Sequence, residues 1–274
     1  MQRYATGLRP ARWSRWVQLW VLAFQLICLL LAAPRVLAAS PTIPIYGKFA
    51  TLTIGIEIPS SPRWAHDVVL NAAEVWNRAQ VWYCENFQDG PVYTFVEVAR
   101  GNTTVSFDSL PPSFVGLTSL TFSSLPPNSL IDGVAVGGSV QLSNRIFNEA
   151  EVGNTTNSDF AFHAALHELG HVLGLEEMLG GPDIMNMFLQ ENAGYISTLD
   201  LYAIRYLAAL PARTNPPTMV TLPATVPYRL VGATTFLDHQ ASISTHDIYD
   251  NHDTHDTQPI TRHRIHRHFI HPPV

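Results

Sequence analysis

The sequence predicts an α+β fold, because its strand-like and helix-like segments follow one another in blocks rather than in strict alternation. Residues 51–59 alternate apolar with other side chains and end at a proline, as a strand does. Residues 63–82 place apolar side chains at helical spacing, which predicts a long amphipathic helix. Further strands are predicted at 93–99, 103–110, 115–122 and 132–144, and further helices from about residue 160 to Gly174 and over 197–210.

The composition is that of a protein with an ordinary hydrophobic core and no nucleic-acid partner. Of the 274 residues, 46% are hydrophobic, and the formal net charge is −6, so there is no basic footprint for DNA or RNA. Cys28 lies in an N-terminal apolar run, which leaves Cys84 alone in the remaining chain. We therefore expect no internal disulfide in a processed protein. The sequence carries no signal for an oligomeric state.

Residues 1–39 predict a signal peptide. Four arginines precede residue 16, an apolar run covers 16–33, and small residues follow at the expected cleavage point near Ala39. The alternative is an uncleaved anchor, because the apolar run is near the lower length for a membrane-spanning helix. In both cases the positive-inside rule predicts that the rest of the chain is exported. We expect a secreted protein, or one anchored by this segment alone and facing outside.

The folded domain is predicted over residues 40–210, and the character of the sequence changes from residue 211. Residues 211–227 are rich in proline and threonine, and 239–271 contain eight of the twelve histidines. Apolar periodicity is weak there, which predicts a disordered tail over 211–274.

Residues 167–171 read HELGH inside an otherwise apolar segment. On a helix, His167 and His171 share one face, and Glu168 lies beside them. Two histidines can bind zinc while an adjacent carboxylate acts on a water molecule. A chance occurrence is the alternative, but a buried helix needs a reason to hold charged groups. His163 lies on the same face and is predicted to be a core or supporting histidine, since three ligands along one helix rarely converge.

The residues that follow extend the motif. Gly174 and Glu177 lie three and six positions after His171, which gives H-E-x-x-H-x-x-G-x-x-E. This resembles the H-E-x-x-H-x-x-G-x-x-H signature of the metzincin zinc peptidases, and residues 183–186 (DIMN) resemble their Met-turn. The resemblance, closest to the matrixin-like M10 peptidases, covers about residues 50–210 and is specific over 167–185.

The resemblance implies a metzincin-like zincin fold. Its parts are a twisted mixed sheet, a long N-terminal helix, an active-site helix and a C-terminal helix. It implies Zn²⁺ as cofactor, with His167, His171 and Glu177 as ligands and Glu168 as the general base. Met185, with Met187 as the second candidate, would form the apolar floor of the Met-turn.

The chain also departs from the family pattern. Glutamate stands at 177 where the signature has histidine, so Glu176, Asp183 and Glu191 stay open as rival third ligands. A propeptide with a switch cysteine, the structural metal loop of animal matrixins and a tyrosine two places after Met185 are not found in the sequence.

The expected function is a secreted or surface-attached zinc endopeptidase acting on protein or peptide substrates. We expect an edge strand within 132–140 to hold an extended substrate by backbone pairing. The alternative is a non-catalytic extracellular metal-binding protein, either a degenerate metzincin or one whose histidine-rich tail captures metal.

Overall fold

A computed structural model describes residues 40–60, 62–122, 133–151, 155–179, 181–187, 194–212, 214–237 and 263–265. The predicted N-terminal segment 1–39 and the rival ligand Glu191 lie outside these residues. No helix within the described ranges is both long and apolar enough to cross a membrane.

The strands have from two to ten residues and are distributed along the whole described chain. In chain order they are β1 (Thr42–Pro44), β2 (Lys48–Phe49), β3 (Thr53–Glu57), β4 (Thr94–Glu97), β5 (Thr103–Asp108), β6 (Gly116–Phe122), β7 (Val134–Ser143), β8 (Tyr195–Ser197), β9 (Met219–Thr221), β10 (Leu230–Gly232) and β11 (His263–Ile265).

Within the described residues, seven of these strands form one mixed sheet in the order β11-β6-β7-β5-β3-β4, with β2 paired to β7. The pairs among β2, β3, β4, β5 and β7 are parallel. Strand β6 runs antiparallel to β7, and β11 runs antiparallel to β6. The predicted α+β class, with a mixed sheet, is confirmed.

The helices are α1 (Arg63–Asn86), α2 (Asn144–Glu151), α3 (Thr155–Val172) and α4 (Thr198–Ala209). The long first helix extends four residues beyond its predicted end, and α3 begins earlier than the predicted residue 160. Helix α2 was not predicted, because its eight residues were too few to show a clear apolar period. Helix α1 packs on α3, where the indole Nε1 of Trp76 donates to the Leu166 carbonyl at 2.8 Å.

The prediction that an edge strand lies within 132–140 is wrong. Strand β7 is an interior strand, paired with β6 on one side and with β5 and β2 on the other. The outer strand on this side is β6, whose outer edge pairs with the three residues of β11. The sequence indicated two adjacent strands, but it did not show their order in the sheet.

Regular structure continues beyond residue 210, although a disordered tail was predicted from residue 211. Strand β9 pairs with β1, β10 pairs with β8, and a 3₁₀ helix covers Ala233–Phe236. These segments bury isolated apolar side chains that show no periodicity in the sequence, namely Val220, Leu222, Ala233 and Phe236. Their pairing partners are distant along the chain, so the local sequence did not predict this packing.

Candidate metal centre

Helix α3 brings the two predicted histidine ligands together. His167 and His171 are both fully buried, one turn apart on the same face. Their Nε2 atoms lie 3.1 Å apart. Two ring nitrogens therefore converge on one point beside the sheet.

The hydrogen bonds on the other side of each ring fix which nitrogen carries the proton. His167 Nδ1 lies 2.5 Å from the Ile184 carbonyl oxygen, and His171 Nδ1 lies 2.7 Å from the Leu175 carbonyl oxygen. A carbonyl only accepts, so each Nδ1–H donates, and in a neutral ring each Nε2 presents a lone pair. Metal-binding histidines are oriented by this kind of hydrogen bond.

Two Nε2 lone pairs facing each other at 3.1 Å repel unless a cation or a proton lies near both of them. Two nitrogens bound to one tetrahedral zinc ion at its usual bond length are about 3.3 Å apart. The spacing and the protonation pattern of the two rings therefore fit a zinc ion.

Gly174 reverses the chain directly after the helix. Its φ is +100°, and an added Cβ would lie 2.1 Å from the Gly47 carbonyl oxygen. The Gly174 carbonyl accepts from the amide of Tyr46 at 2.8 Å. This turn returns the Leu175 carbonyl to His171, so glycine is required for the orientation of that ring.

Glu177 follows this turn and is half-buried. Its charge contributes to the raised pKa of Glu168, so the two carboxyl groups are close enough to interact. Glu176 is also half-buried, and its amide donates to the Pro44 carbonyl at 3.0 Å. Among the described residues, no three histidine, cysteine or acidic side chains are arranged to hold a metal ion. Within this part of the chain, the structure brings the two histidines together.

Glu168 is fully buried beside β6. The Thr118 hydroxyl donates to its Oε2 at 2.6 Å, and an added Cβ at Gly116 would lie 2.2 Å from its Oε1. Burial raises the pKa of Glu168 to about 8, the Thr118 bond opposes that shift, and the Glu177 charge adds to it. A nearby cation would favour the ionised carboxylate. Strand β6 therefore fixes the orientation of the carboxyl of the predicted base.

Met185 lies under the same turn of α3. An added Cβ at Gly170, between the two histidines, would lie 2.4 Å from the Met185 sulfur. The neighbouring Ile184 supplies the carbonyl that accepts from His167. The segment predicted as a Met-turn thus contacts the histidine helix through both an apolar side chain and a backbone oxygen.

Asp183 was left open by the sequence as a rival third ligand. In the structure its carboxyl interacts with other residues of the fold. It is buried, its Oδ1 accepts from the Met185 amide at 2.9 Å, and its carboxyl also interacts with Asp200, Ser197 and Tyr228. Asp200 is the N3 residue of the α4 capping box. Burial raises the pKa of both carboxyls, and for Asp200 the charge of Asp183 adds to that effect. Two buried carboxyls in contact favour sharing a proton, which links the Met185 turn to α4.

This carboxyl pair predicts a pH dependence of stability. Because the folded-state pKa values are raised, the pair stabilises the fold below the ordinary aspartate pKa of about 3.9, and this contribution is lost as the pH rises through the raised values. In Asp183→Asn, an amide replaces the shared proton as donor to Asp200. We expect the stability of this variant relative to the parent to increase as the pH rises from 5 to 8, measured by urea unfolding. A constant difference across that range would contradict a shared proton.

His163 was predicted to be a core or supporting histidine. His163 is buried near Gly194, and burial lowers its pKa, as suits a neutral core histidine.

The contacts of Gly116 and Thr118 with Glu168 were not predicted from the sequence. Their contact with Glu168 depends on where β6 crosses α3, and no local pattern encodes that crossing.

An apolar cavity of about 300 Å³ lies beside β6. It is lined by Leu110, Pro111 and Phe114 from the segment before the strand, and by Leu117 within it. Leu117 immediately precedes Thr118, so the cavity and the Glu168 contact share one stretch of backbone.

In comparisons with known proteins, no protein-family model matches the chain and no curated protein matches it.

Proposed function

We propose that the chain is a secreted or surface-attached zinc-dependent endopeptidase of metzincin type with a matrixin-like catalytic domain. The observation that carries this proposal is the pair of buried Nε2 atoms 3.1 Å apart, each ring oriented by an Nδ1–H bond to a backbone carbonyl. The carboxylate of Glu168 beside them supports a catalytic site over a storage site, because metal storage has no use for a base at this position.

His167 and His171 would hold the zinc ion, with Glu177 as the proposed third ligand. Gly174 supports Glu177 because its turn directs the following residues back alongside the helix, and Glu177 interacts electrostatically with Glu168. A zinc ion held there supplies the Lewis acidity that makes water nucleophilic near neutral pH and polarises a peptide carbonyl.

Glu168 acts as the proton carrier in this proposal. Its carboxylate accepts a proton from the attacking water and then delivers it to the leaving amine nitrogen, so the same residue serves as base and acid. The Thr118 hydroxyl holds Oε2 in place, which leaves the orientation of the carboxyl fixed during the transfer. The Ile184 carbonyl holds the His167 ring, and the Leu175 carbonyl holds the His171 ring.

The substrate would be a peptide in extended form. Strand β6 is the outer long strand beside Glu168, and such an edge binds a peptide by main-chain hydrogen bonds. The cavity formed by Leu110, Pro111, Phe114 and Leu117 would take an apolar side chain of that peptide. We therefore expect cleavage to favour substrates with an apolar residue near the scissile bond.

The proposed zinc site is tested by measuring zinc binding. In the full chain, His171→Gln is expected to bind one zinc equivalent less than the parent. The zinc affinity of the helix site should fall at least 100-fold, because losing even a residue that only hydrogen-bonds to a metal ligand lowers metal affinity about 10–100-fold. His66→Gln, which alters a histidine bonded to Glu97 on the surface, is the matched control and should retain the equivalent. The tail histidines are present in all three proteins, so the difference isolates the helix site. Equal zinc content in all three would contradict the proposal, and zinc without cleavage would favour the non-catalytic alternative.

The identity of the third ligand is tested by substituting each of two adjacent glutamates. Glu177→Gln is expected to lower zinc affinity by about 10-fold or more, because an amide oxygen is a weaker ligand than a carboxylate for a dication. Glu176→Gln changes the same functional group one position earlier and should leave the affinity unchanged. Competition with a chromophoric zinc chelator measures both. The opposite ranking would assign the ligand to Glu176.

A further inference from the structure

The outer edge of β6 is already paired by a segment from the distal part of the chain. Strand β11 runs antiparallel to β6, with His263 opposite Thr121, Arg264 opposite Leu120 and Ile265 opposite Ser119. Strand β11 thereby becomes the outermost strand of the main sheet. A three-residue strand from a polar, histidine-rich region has no sequence pattern that requires it at this position.

The paired positions lie directly beside the catalytic contact. Ser119 follows Thr118, whose hydroxyl donates to Glu168, and Leu117 lines the apolar cavity. Because the two strands are antiparallel, β11 advances along β6 towards Thr118 and ends opposite Ser119. The pairing thus occupies the C-terminal half of β6 and ends one residue from Thr118, where the half that contacts Glu168 begins.

The segment that supplies β11 differs in charge from the chain as a whole. From Gln258 to Val274 the sequence contains three arginines and no acidic residue, whereas the whole chain has a net charge of −6. Residues 263–265 make their contact through backbone pairing, which any extended peptide can reproduce. The edge is therefore a general docking site for a peptide strand, and the chain supplies one such strand itself.

We propose that residues 263–265 occupy the peptide-docking edge of β6 in cis and compete there with substrate. This inference rests on the proposed peptidase function for its consequence, but the occupied edge is a property of the sheet. A tethered segment acts at an effective concentration in the millimolar range. A short strand of only submillimolar affinity would then keep the edge mostly occupied and raise the apparent KM about three- to tenfold.

Proline substitution in the full chain removes the pairing without removing the tail. Successive residues of a strand point their amides in opposite directions, so either the Arg264 amide or the amides of His263 and Ile265 face β6. The double variant Arg264→Pro/Ile265→Pro therefore removes at least one facing donor in either case. Arg264→Ala/Ile265→Ala changes the same side chains and keeps both amides. It is the matched control for any effect of side-chain loss.

Two readouts keep this inference separate from the proposed function. A fluorescein-labelled peptide with the sequence of residues 258–270 should bind the proline variant about three- to tenfold more tightly than the alanine variant, measured by anisotropy without added zinc. Cleavage of a peptide substrate should show a KM lowered by the same factor with kcat unchanged. Tighter probe binding with no cleavage in any variant would leave the docking edge standing and overturn the peptidase function. Equal probe affinity in the two variants would overturn the inference, whatever the cleavage result.

Discussion

Glu168→Gln is expected to lower kcat for peptide hydrolysis by about 100- to 10,000-fold, the usual range for loss of a general acid–base group. Glutamine has nearly the same shape and still accepts the Thr118 hydroxyl through its amide oxygen, but it cannot take a proton from water. The histidine pair and its backbone partners are unchanged, so zinc content should stay equal to that of the parent. Steady-state kinetics together with elemental analysis measures the effect.

The stability of the same variant supplies the control. The carboxyl of Glu168 is fully buried and its pKa is raised to about 8, so the fold already favours an uncharged group at this position. We therefore expect Glu168→Gln to unfold at the same urea concentration as the parent or at a higher one. Activity close to that of the parent in a folded, zinc-loaded variant would exclude Glu168 as the base.

Gly174→Ala is expected to lower the free energy of unfolding by about 3–5 kcal/mol, at the upper end for a single substitution. Two costs combine at this position. A φ of +100° is unfavourable for any residue with a Cβ, and that Cβ would lie 2.1 Å from the backbone oxygen of Gly47. Because a backbone carbonyl cannot move aside as a side chain can, the turn itself must shift. Urea unfolding of the full chain measures the loss.

Gly181→Ala is the matched control for this substitution. Gly181 has a similar φ of +93°, but an added Cβ would meet nothing within 4 Å. Its expected cost is about 1–2 kcal/mol from backbone strain alone. The difference between the two variants isolates the clash at Gly47. Equal losses would show that the turn at Gly174 is not tightly packed, and the case for its positioning of the Leu175 carbonyl would fail.

The elements with strong local patterns were predictable from the sequence. Three features are local patterns that can be seen within a short stretch of sequence. They are the helical spacing of apolar residues in α1, the alternation of residues 51–59 and the turn residues between later strands. The order β6-β7-β5 in the sheet, the placement of β9 against β1 and the return of β11 to β6 depend on contacts between distant segments. No residue near those segments specifies the partner, so these features became visible only in the structure.

In the candidate site, too, some features follow from local sequence and others depend on contacts between distant segments. A spacing of four residues was enough to place His167 and His171 on one face, because a helix fixes that relation. The partners that orient them, the carbonyls of Ile184 and Leu175, belong to the backbone, and every residue type supplies the same group. The contact of Thr118 with Glu168 requires the crossing of β6 over α3. The pairing of Asp183 with Asp200 also joins segments whose approach has no sequence signature.

The proposed zinc peptidase activity is tested by peptide cleavage with the full chain after its metal has been removed with a chelator. Zinc is added back in equal amounts to the parent and to Glu168→Gln, and cleavage and bound zinc are measured in the same samples. We expect both proteins to regain zinc at the helix site and only the parent to regain cleavage. Zinc-loaded parent protein that cleaves no peptide, or cleavage that persists in the metal-free chain, would show that the protein is not a zinc-dependent peptidase.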